Sequence, residues 1–292
     1  MTVEEILKWT EYAEDSGYGY VLRSDHLLPT IQTGKPTDSP ECWVTLGVIA
    51  AKTRTIKFGP LVSPIGWRNP ALLARMACTL DSFTGGRLVL AIGAGWFREE
   101  YAAHGYEFPR YPIRKDQFTE AVKIIRPLTE GLRVDFQGKH YTAHTACFPK
   151  PNGKVHLIIG GKNLGILEIA ATYADELNIY DSTSDVLRDF KRLLDMKAAS
   201  RKIEVSRMGP FIIGESKKDL ELKVAEYSRL TGAPGKESTL RQQGVLCGKP
   251  DEFAFQLNEF IEAGVGKFYF QVLNCEDRQM VDLLTDTLRN RI

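Results

Sequence analysis

Residues 81–101 read DSFTGGRLVLAIGAGWFREEY. Gly85 and Gly86 make a turn, and Leu88, Val89, Leu90, Ala91 and Ile92 form an apolar run of the length of one strand buried on both faces. Gly93-Ala94-Gly95 then ends the strand without side-chain bulk, and Trp96-Phe97-Arg98-Glu99-Glu100 opens a helix. A strand, a glycine-lined mouth and a helix start, in that order, let backbone approach a flat or phosphorylated ligand closely. A plain tight turn uses the same G-x-G, so the segment by itself leaves both readings open.

Outward from it, strand and helix patterns alternate. Residues 3–15 place Ile6, Trp9, Tyr12 and Ala13 on one helical stripe, Gly17 ends it, and 18–23 is a short strand. Ser39-Pro40-Glu41 reads as a helix start, with a capping serine and proline at the first helical position. Strands are expected at 55–62, 87–93, 155–159, 177–180, 208–213 and 267–273. Helices are expected from Asn69-Pro70 to Leu80, and at 112–130, 163–173, 185–199, 250–263 and from 276. Residues 131–154 are loop-like around a hairpin turn at 136–141, and 215–245 are charged and helical with a break at Gly232-Ala233-Pro234-Gly235. Both are candidate insertions. Nothing resembles an interdomain linker, so one domain over 1–292 is expected.

Buried strands alternating with helices imply a parallel sheet flanked by helices. The strands near 18, 55, 87, 155, 177, 208 and 267 are one short of an eight-stranded barrel. The sequence begins on what would be the first helix, so the lacking strand is the first.

The 292 residues suit one large α/β barrel or two ordinary domains. The 38 basic and 37 acidic residues leave a formal charge of +1, which points to neither nucleic acid nor a membrane surface. No run of about 18 apolar residues is present, and the acidic, amphipathic start is unlike a secretory leader. The dispersed Cys42, Cys78, Cys147, Cys247 and Cys275 read as buried free thiols of a cytoplasmic protein. His104, His140, His144 and His156 show no metal-ligand spacing, and no metal is expected.

Five stretches, in order, carry a family resemblance: SDHLLP at 24–29, GPLVSPIGWRNPALLAR at 59–75, TGGRLVLAIGAGWFREEYAAHGYEF at 84–108, HLIIGGKNLGILEIAATYADELN at 156–178 and GKPDEFAFQLNEFIEAGVGKFYFQ at 248–271. The chain resembles the bacterial-luciferase-like flavin and deazaflavin enzymes. The resemblance implies a TIM-type (β/α)8 barrel, here lacking its first strand. It also implies coenzyme F420 or FMN as cofactor at the C-terminal ends of the strands, and a homodimer with contact surfaces at 68–80 and 96–110.

Ser24-Asp25-His26 follows a strand end, where barrel enzymes keep catalytic groups. Histidine exchanges protons near neutral pH, and a neighbouring carboxylate can orient it. In the F420-dependent dehydrogenases that the chain resembles, the corresponding histidine is the acid or base beside the ring. His26 is therefore the catalytic candidate, against the alternative of a histidine satisfied by loop backbone. Asp25 either holds cofactor or caps the loop. By resemblance, Pro60–Leu61 is a cis peptide bond bulging behind the cofactor ring and Ser63 hydrogen-bonds the cofactor; the alternative is an ordinary trans strand end. Gly160-Gly161-Lys162-Asn163-Leu164-Gly165 joins strand to helix, where free amides and Lys162 favour a phosphate, or it is a structural turn. By resemblance Ala94 and Gly95 lie along the ribityl chain. Trp96, at the mouth, is the tryptophan given to the cofactor, whereas Trp9, Trp43 and Trp67 read as packing.

Two positions depart from the F420 sugar and alcohol dehydrogenases. Their glutamate directly after the G-x-G is here Trp96, and their tryptophan four residues beyond the histidine is here Thr30. Glu99 and Glu100, one helical turn on, receive no role. The first expectation is an F420-dependent oxidoreductase moving a hydride to or from a small organic substrate. An FMN-dependent monooxygenase and a non-catalytic flavin-binding protein stand as alternatives. The loops at 30–40, 131–154 and 215–245 are expected to shape the substrate pocket.

Overall fold

A computed structural model describes residues 1–29, 40–274 and 277–291. Ser39, Thr30, Cys275 and nearly all of the 30–40 loop lie outside the described residues. The described residues form two compact units, 1–29 with 40–176, and 177–274 with 277–291. The division falls within a strand, which is why no linker composition marks it.

The first unit contains α1 (Val3–Asp15), β1 (Tyr20–Arg23), α2 (Cys42–Lys52), β2 (Lys57–Pro60), β3 (Ser63–Pro64), α3 (Pro70–Thr84), β4 (Val89–Gly93), α4 (Arg98–Ala103), α5 (Tyr111–Thr129), β5 (Val134–Gln137), β6 (Thr142–Thr145), β7 (His156–Gly160) and α6 (Leu164–Tyr173). Local chemistry sets most boundaries. Thr2 and Glu5 form a reciprocal capping box at α1, and Asn69 caps α3 with Pro70 in its first turn. The start of α2 differs from the Ser-Pro reading. Its cap is Glu41, whose carboxylate accepts the Val44 N–H at 2.7 Å, and Pro40 stands outside the helix. Arg68 engages the other oxygen of Glu41 from 27 residues away, an attraction no local pattern reveals.

The long strands of this unit run parallel. Arg23 pairs with Pro60 across β1 and β2, Pro64 with Gly93 across β3 and β4, and Ile92 with Ile159 across β4 and β7. Their C-terminal ends therefore share one rim. The expected apolar strand is buried throughout from Val89 to Gly93. Behind it α3 packs on α5, burying Leu73, Ala77 and Cys78 and, from α5, Phe118, Val122, Ile125 and Leu128. Each large apolar side chain so buried contributes roughly 1.5–3 kcal/mol. The expected hairpin is β5–β6, antiparallel from Val134↔Thr145 to Gln137↔Thr142. Glu120 of α5 ties its turn down by accepting the N–H groups of Lys139 and His140 at 2.8 Å and Tyr141 at 3.0 Å.

The second unit contains β8 (Glu176–Tyr180), α7 (Ser184–Ala198), β9 (Glu204–Ile213), α8 (Lys217–Thr231), α9 (Glu237–Gln242), β10 (Leu246–Gly248), α10 (Pro250–Glu262), β11 (Lys267–Gln271) and α11 (Arg278–Arg291). β9 pairs in parallel with both β10 and β11. The segment at 215–245 is core as well as surface. Leu220 and Val224 of α8, Leu240 of α9 and Val245 cluster with Ile212 and Cys247. β10 escapes a sequence reading because Leu246-Cys247-Gly248 is too short to show a period. Cys42, Cys78, Cys147 and Cys247 are free and buried, and no described helix is long and apolar enough to cross a membrane.

Candidate active site

Every residue proposed from sequence for catalysis or cofactor contact lies in the first unit, in the segments that follow the rim-side ends of β1, β2, β4 and β7. His26 follows β1, and its side chain is 21% exposed. Three aromatic rings surround it: Trp96 with centroids 5.7 Å apart, Phe97 at 6.1 Å and Trp67 at 6.5 Å. Trp96 is 66% exposed and stacks on Phe97 at 5.1 Å, as suits a side chain open to a flat partner. Trp67, read as packing, is buried as expected but stands beside His26.

Glu100 is the site residue that the sequence reading left without a role. It sits in the first turn of α4 and is 1% exposed. Its Oε2 lies 3.0 Å from His26 Nδ1, while Oε1 accepts the N–H of Leu28 at 2.8 Å and that of Leu27 through a short hydrogen bond. A separation of 74 residues hides this pair from any local pattern.

Asp25 and Ser63 are engaged in an internal network. Ser63 Oγ donates to Asp25 Oδ2 at 2.5 Å and accepts from Trp43 Nε1 at 3.0 Å. Arg68 grips both carboxylate oxygens of Asp25, at 2.6 and 3.2 Å, and reaches Glu41. Burial works against the Arg68 charge, but Asp25 and Glu41 outweigh it and hold its pKa above the usual arginine value. Asp25 and Ser63 are 1% and 0% exposed.

The non-proline cis bond is present, one residue later than expected: it joins Leu61 to Val62, and Pro60–Leu61 is not cis. The β1–β2 ladder explains the offset, since Leu61 N–H still bonds Arg23 C=O at 2.7 Å and the chain departs only after it. Val62 then wedges between two strand ends. A Cβ on Gly93 would fall 2.7 Å from one Val62 methyl, and a Cβ on Gly160 2.7 Å from the other. Both positions require glycine for this close approach. The same contacts put the mouth at Gly93 beside the turn at Gly160.

Ala94 and Gly95 are partly exposed, and Gly95 has φ 79°, a backbone region that favours glycine. Tyr101 of α4 supports this mouth from beneath. Its hydroxyl oxygen fills the space that side chains on Gly66 and Gly95 would need, 2.9 Å from a Cβ at Gly66 and in collision with one at Gly95. Tyr101 is 2% exposed, its oxygen has no hydrogen-bond partner among the described residues, and burial pushes the phenol far above its usual pKa.

At the last rim segment, Gly161 has φ 153°, and a Cβ there would approach Ile166 Cγ2 to 2.9 Å. Lys162 is exposed, and Asn163 caps α6 by accepting the Ile166 N–H at 3.0 Å. Two residues of α5, absent from the sequence reading, join this turn. Tyr111 donates its hydroxyl to Asn163 Oδ1 at 2.7 Å, and the Lys115 stem lies against Gly165, its Cε 2.7 Å from where a Cβ would stand. Amides at a helix start with two ammonium groups nearby form a setting that favours an anion.

The pattern of the luciferase-like monooxygenase family matches residues 1–267. An F420-dependent glucose-6-phosphate dehydrogenase of Microbacterium testaceum is 31% identical over 59% of this chain and 51% of its own length. A 5,10-methylenetetrahydromethanopterin reductase of Archaeoglobus fulgidus is 33% identical over 60% of this chain and 48% of its own. The matches thus span about half the length of these curated relatives. Among solved structures, an F420-dependent secondary alcohol dehydrogenase in complex with an F420-acetone adduct superposes with a TM-score of 0.80 at 21% identity, covering 98% of this chain and 94% of that one. That likeness establishes the fold, the expected TIM-type α/β fold, and with the match over 1–267 it makes this chain a member of the luciferase-like monooxygenase family.

Proposed function

We propose that the protein is an oxidoreductase that uses coenzyme F420 and acts on a small organic substrate, with His26 exchanging the proton that accompanies hydride transfer. The carrying observation is the shared rim. His26, the glycine mouth with Trp96 and the Gly160–Gly161 turn all follow C-terminal ends of parallel strands, and Val62 packs against both glycine segments. The F420 dependence of the relatives in both comparisons supports the same reading.

The residues fit such a group. Glycines at 93, 95, 160 and 161 let Val62, Tyr101 and Ile166 pack directly against this backbone and shape the rim, and the start of α6 with Lys162 and Lys115 offers the charge a phosphate needs. Bound there, a 5-deazaflavin supplies two-electron hydride chemistry at a carbon that disfavours reaction with oxygen. His26 supplies what that chemistry lacks, a group that gives or takes a proton. Trp96, Phe97 and Trp67 border the imidazole and limit its access to water. Lys162 and the α6 amides hold the phosphate end and orient the remainder.

Fluorescence titration with F420 and with FMN, followed by turnover with and without oxygen across a panel of small substrates, tests the reading. F420 binding with oxygen-independent turnover is the expected result. His26→Ala should keep cofactor affinity and lose turnover by roughly 10²–10⁴. Tight FMN binding without F420 binding would overturn the proposal, and binding without any turnover would leave a cofactor-holding protein.

A further inference from the structure

The Glu100 carboxylate faces three nitrogens. Leu27 and Leu28 donate their amide hydrogens to Oε1, and His26 Nδ1 lies 3.0 Å from Oε2. An ionised carboxylate only accepts hydrogen bonds. The ring nitrogen facing it must then carry a hydrogen, and a neutral imidazole protonated at Nδ1 has its lone pair on Nε2. Resting on the reading of His26 as the proton-exchanging group, we infer that Glu100 is a positioning residue that locks His26 in the Nδ1–H tautomer, making Nε2 the nitrogen that receives a proton.

Three features carry the assignment. Glu100 is 1% exposed, so water does not compete for its oxygens. The amides of Leu27 and Leu28 clamp Oε1, fixing the carboxylate plane and leaving Oε2 directed at the ring. Glu100 belongs to α4, the helix that also places Tyr101 beneath Gly95, so the tautomer and the shape of the mouth depend on one short element. A carboxylate that merely tied the 26–28 loop to α4 would satisfy the two amides and be indifferent to the ring.

The amide variant Glu100→Gln separates these roles. Its oxygen can still accept from Leu27 and Leu28, but its NH₂ then faces Nδ1 and donates. The ring must answer by moving its own hydrogen to Nε2, which abolishes the lone pair there. Long-range ¹H–¹⁵N spectra of the full chain labelled at histidine nitrogen read this directly without any cofactor, with the His26 signals identified by their loss in His26→Asn. The expected result is Nδ1–H in the native chain and Nε2–H in Glu100→Gln, with kcat lowered by roughly 10²–10⁴ and KM changed only a few-fold.

An Nε2–H tautomer in the native chain would overturn the assignment, whether or not the variant folds. So would a Glu100→Gln protein that keeps Nδ1–H and full turnover. The two readings fail separately. A native Nδ1–H signal in a protein that never turns over F420 would retain Glu100 in this role and remove the cofactor proposal.

Discussion

Alanine at Gly95 should destabilise the protein for two separable reasons. With φ at 79°, any Cβ pays the left-handed penalty of about 1–2 kcal/mol. The new methyl would also collide with Tyr101 Oη, while the next ring atom, Cζ, lies 3.1 Å away, tight but tolerable. Overpacking of this kind costs about 1–3 kcal/mol, so Gly95→Ala should lose about 2–5 kcal/mol in all. Tyr101→Phe removes the colliding oxygen. Because that oxygen has no hydrogen-bond partner among the described residues, its loss should be neutral or stabilising by up to about 2 kcal/mol. In the Tyr101→Phe background, Gly95→Ala should then cost only the backbone share, giving a coupling of about 1–3 kcal/mol. Urea titrations of the four proteins, followed by tryptophan fluorescence, measure it, with Trp67 reporting from 5.6 Å away. A coupling within about 0.5 kcal/mol of zero, the scatter of independent sites, would refute the proposed contact.

Two further outcomes follow from named contacts. Glu14 of α1 accepts the N–H groups of Arg54, Thr55 and Ile56 and the Thr55 hydroxyl. Burial alone would raise its pKa from 4.5, but these donors outweigh it and bring it to about 2. A depressed carboxylate pKa stabilises fully above the unfolded value and is lost as pH falls. The stability gap between the native chain and Glu14→Gln, about 1–2 kcal/mol after solvent screening, should be constant above pH 4.5 and close on the way to about 2. An equal gap at both ends of that window contradicts the contact. Asp25→Asn leaves the partly buried Arg68 guanidinium with Glu41 but without its bidentate partner and should lower stability by about 1.5–3 kcal/mol in the same urea assay. An unchanged midpoint with weakened cofactor binding would instead make Asp25 a cofactor contact.

The elements were legible where their causes are local. The apolar run from Leu88 to Ile92 has the length of one buried strand, Asn69-Pro70 reads as a helix start, and the expected strands and the 136–141 turn appear within a few residues of where the pattern puts them. The strand-end position of His26 and the glycine turn at 160–161 were legible for the same reason, since strand, turn and cap chemistry acts over a few neighbouring residues. The charged stretch at 215–245 hid its buried Leu220, Val224 and Leu240 because their partners on β9 and β10 lie beyond the local window.

What surrounds those positions was decided by tertiary structure. Nothing near residue 26 announces Glu100, nothing near Asp25 announces Arg68, and the cis bond sits at Leu61–Val62, just past the Leu61 N–H that Arg23, far off in sequence, still holds. The physical reason is common to all three. A sequence specifies which segments become strands, but only their parallel pairing brings distant strand ends to one rim, and there hydrogen bonds between far-separated residues determine how each side chain is held.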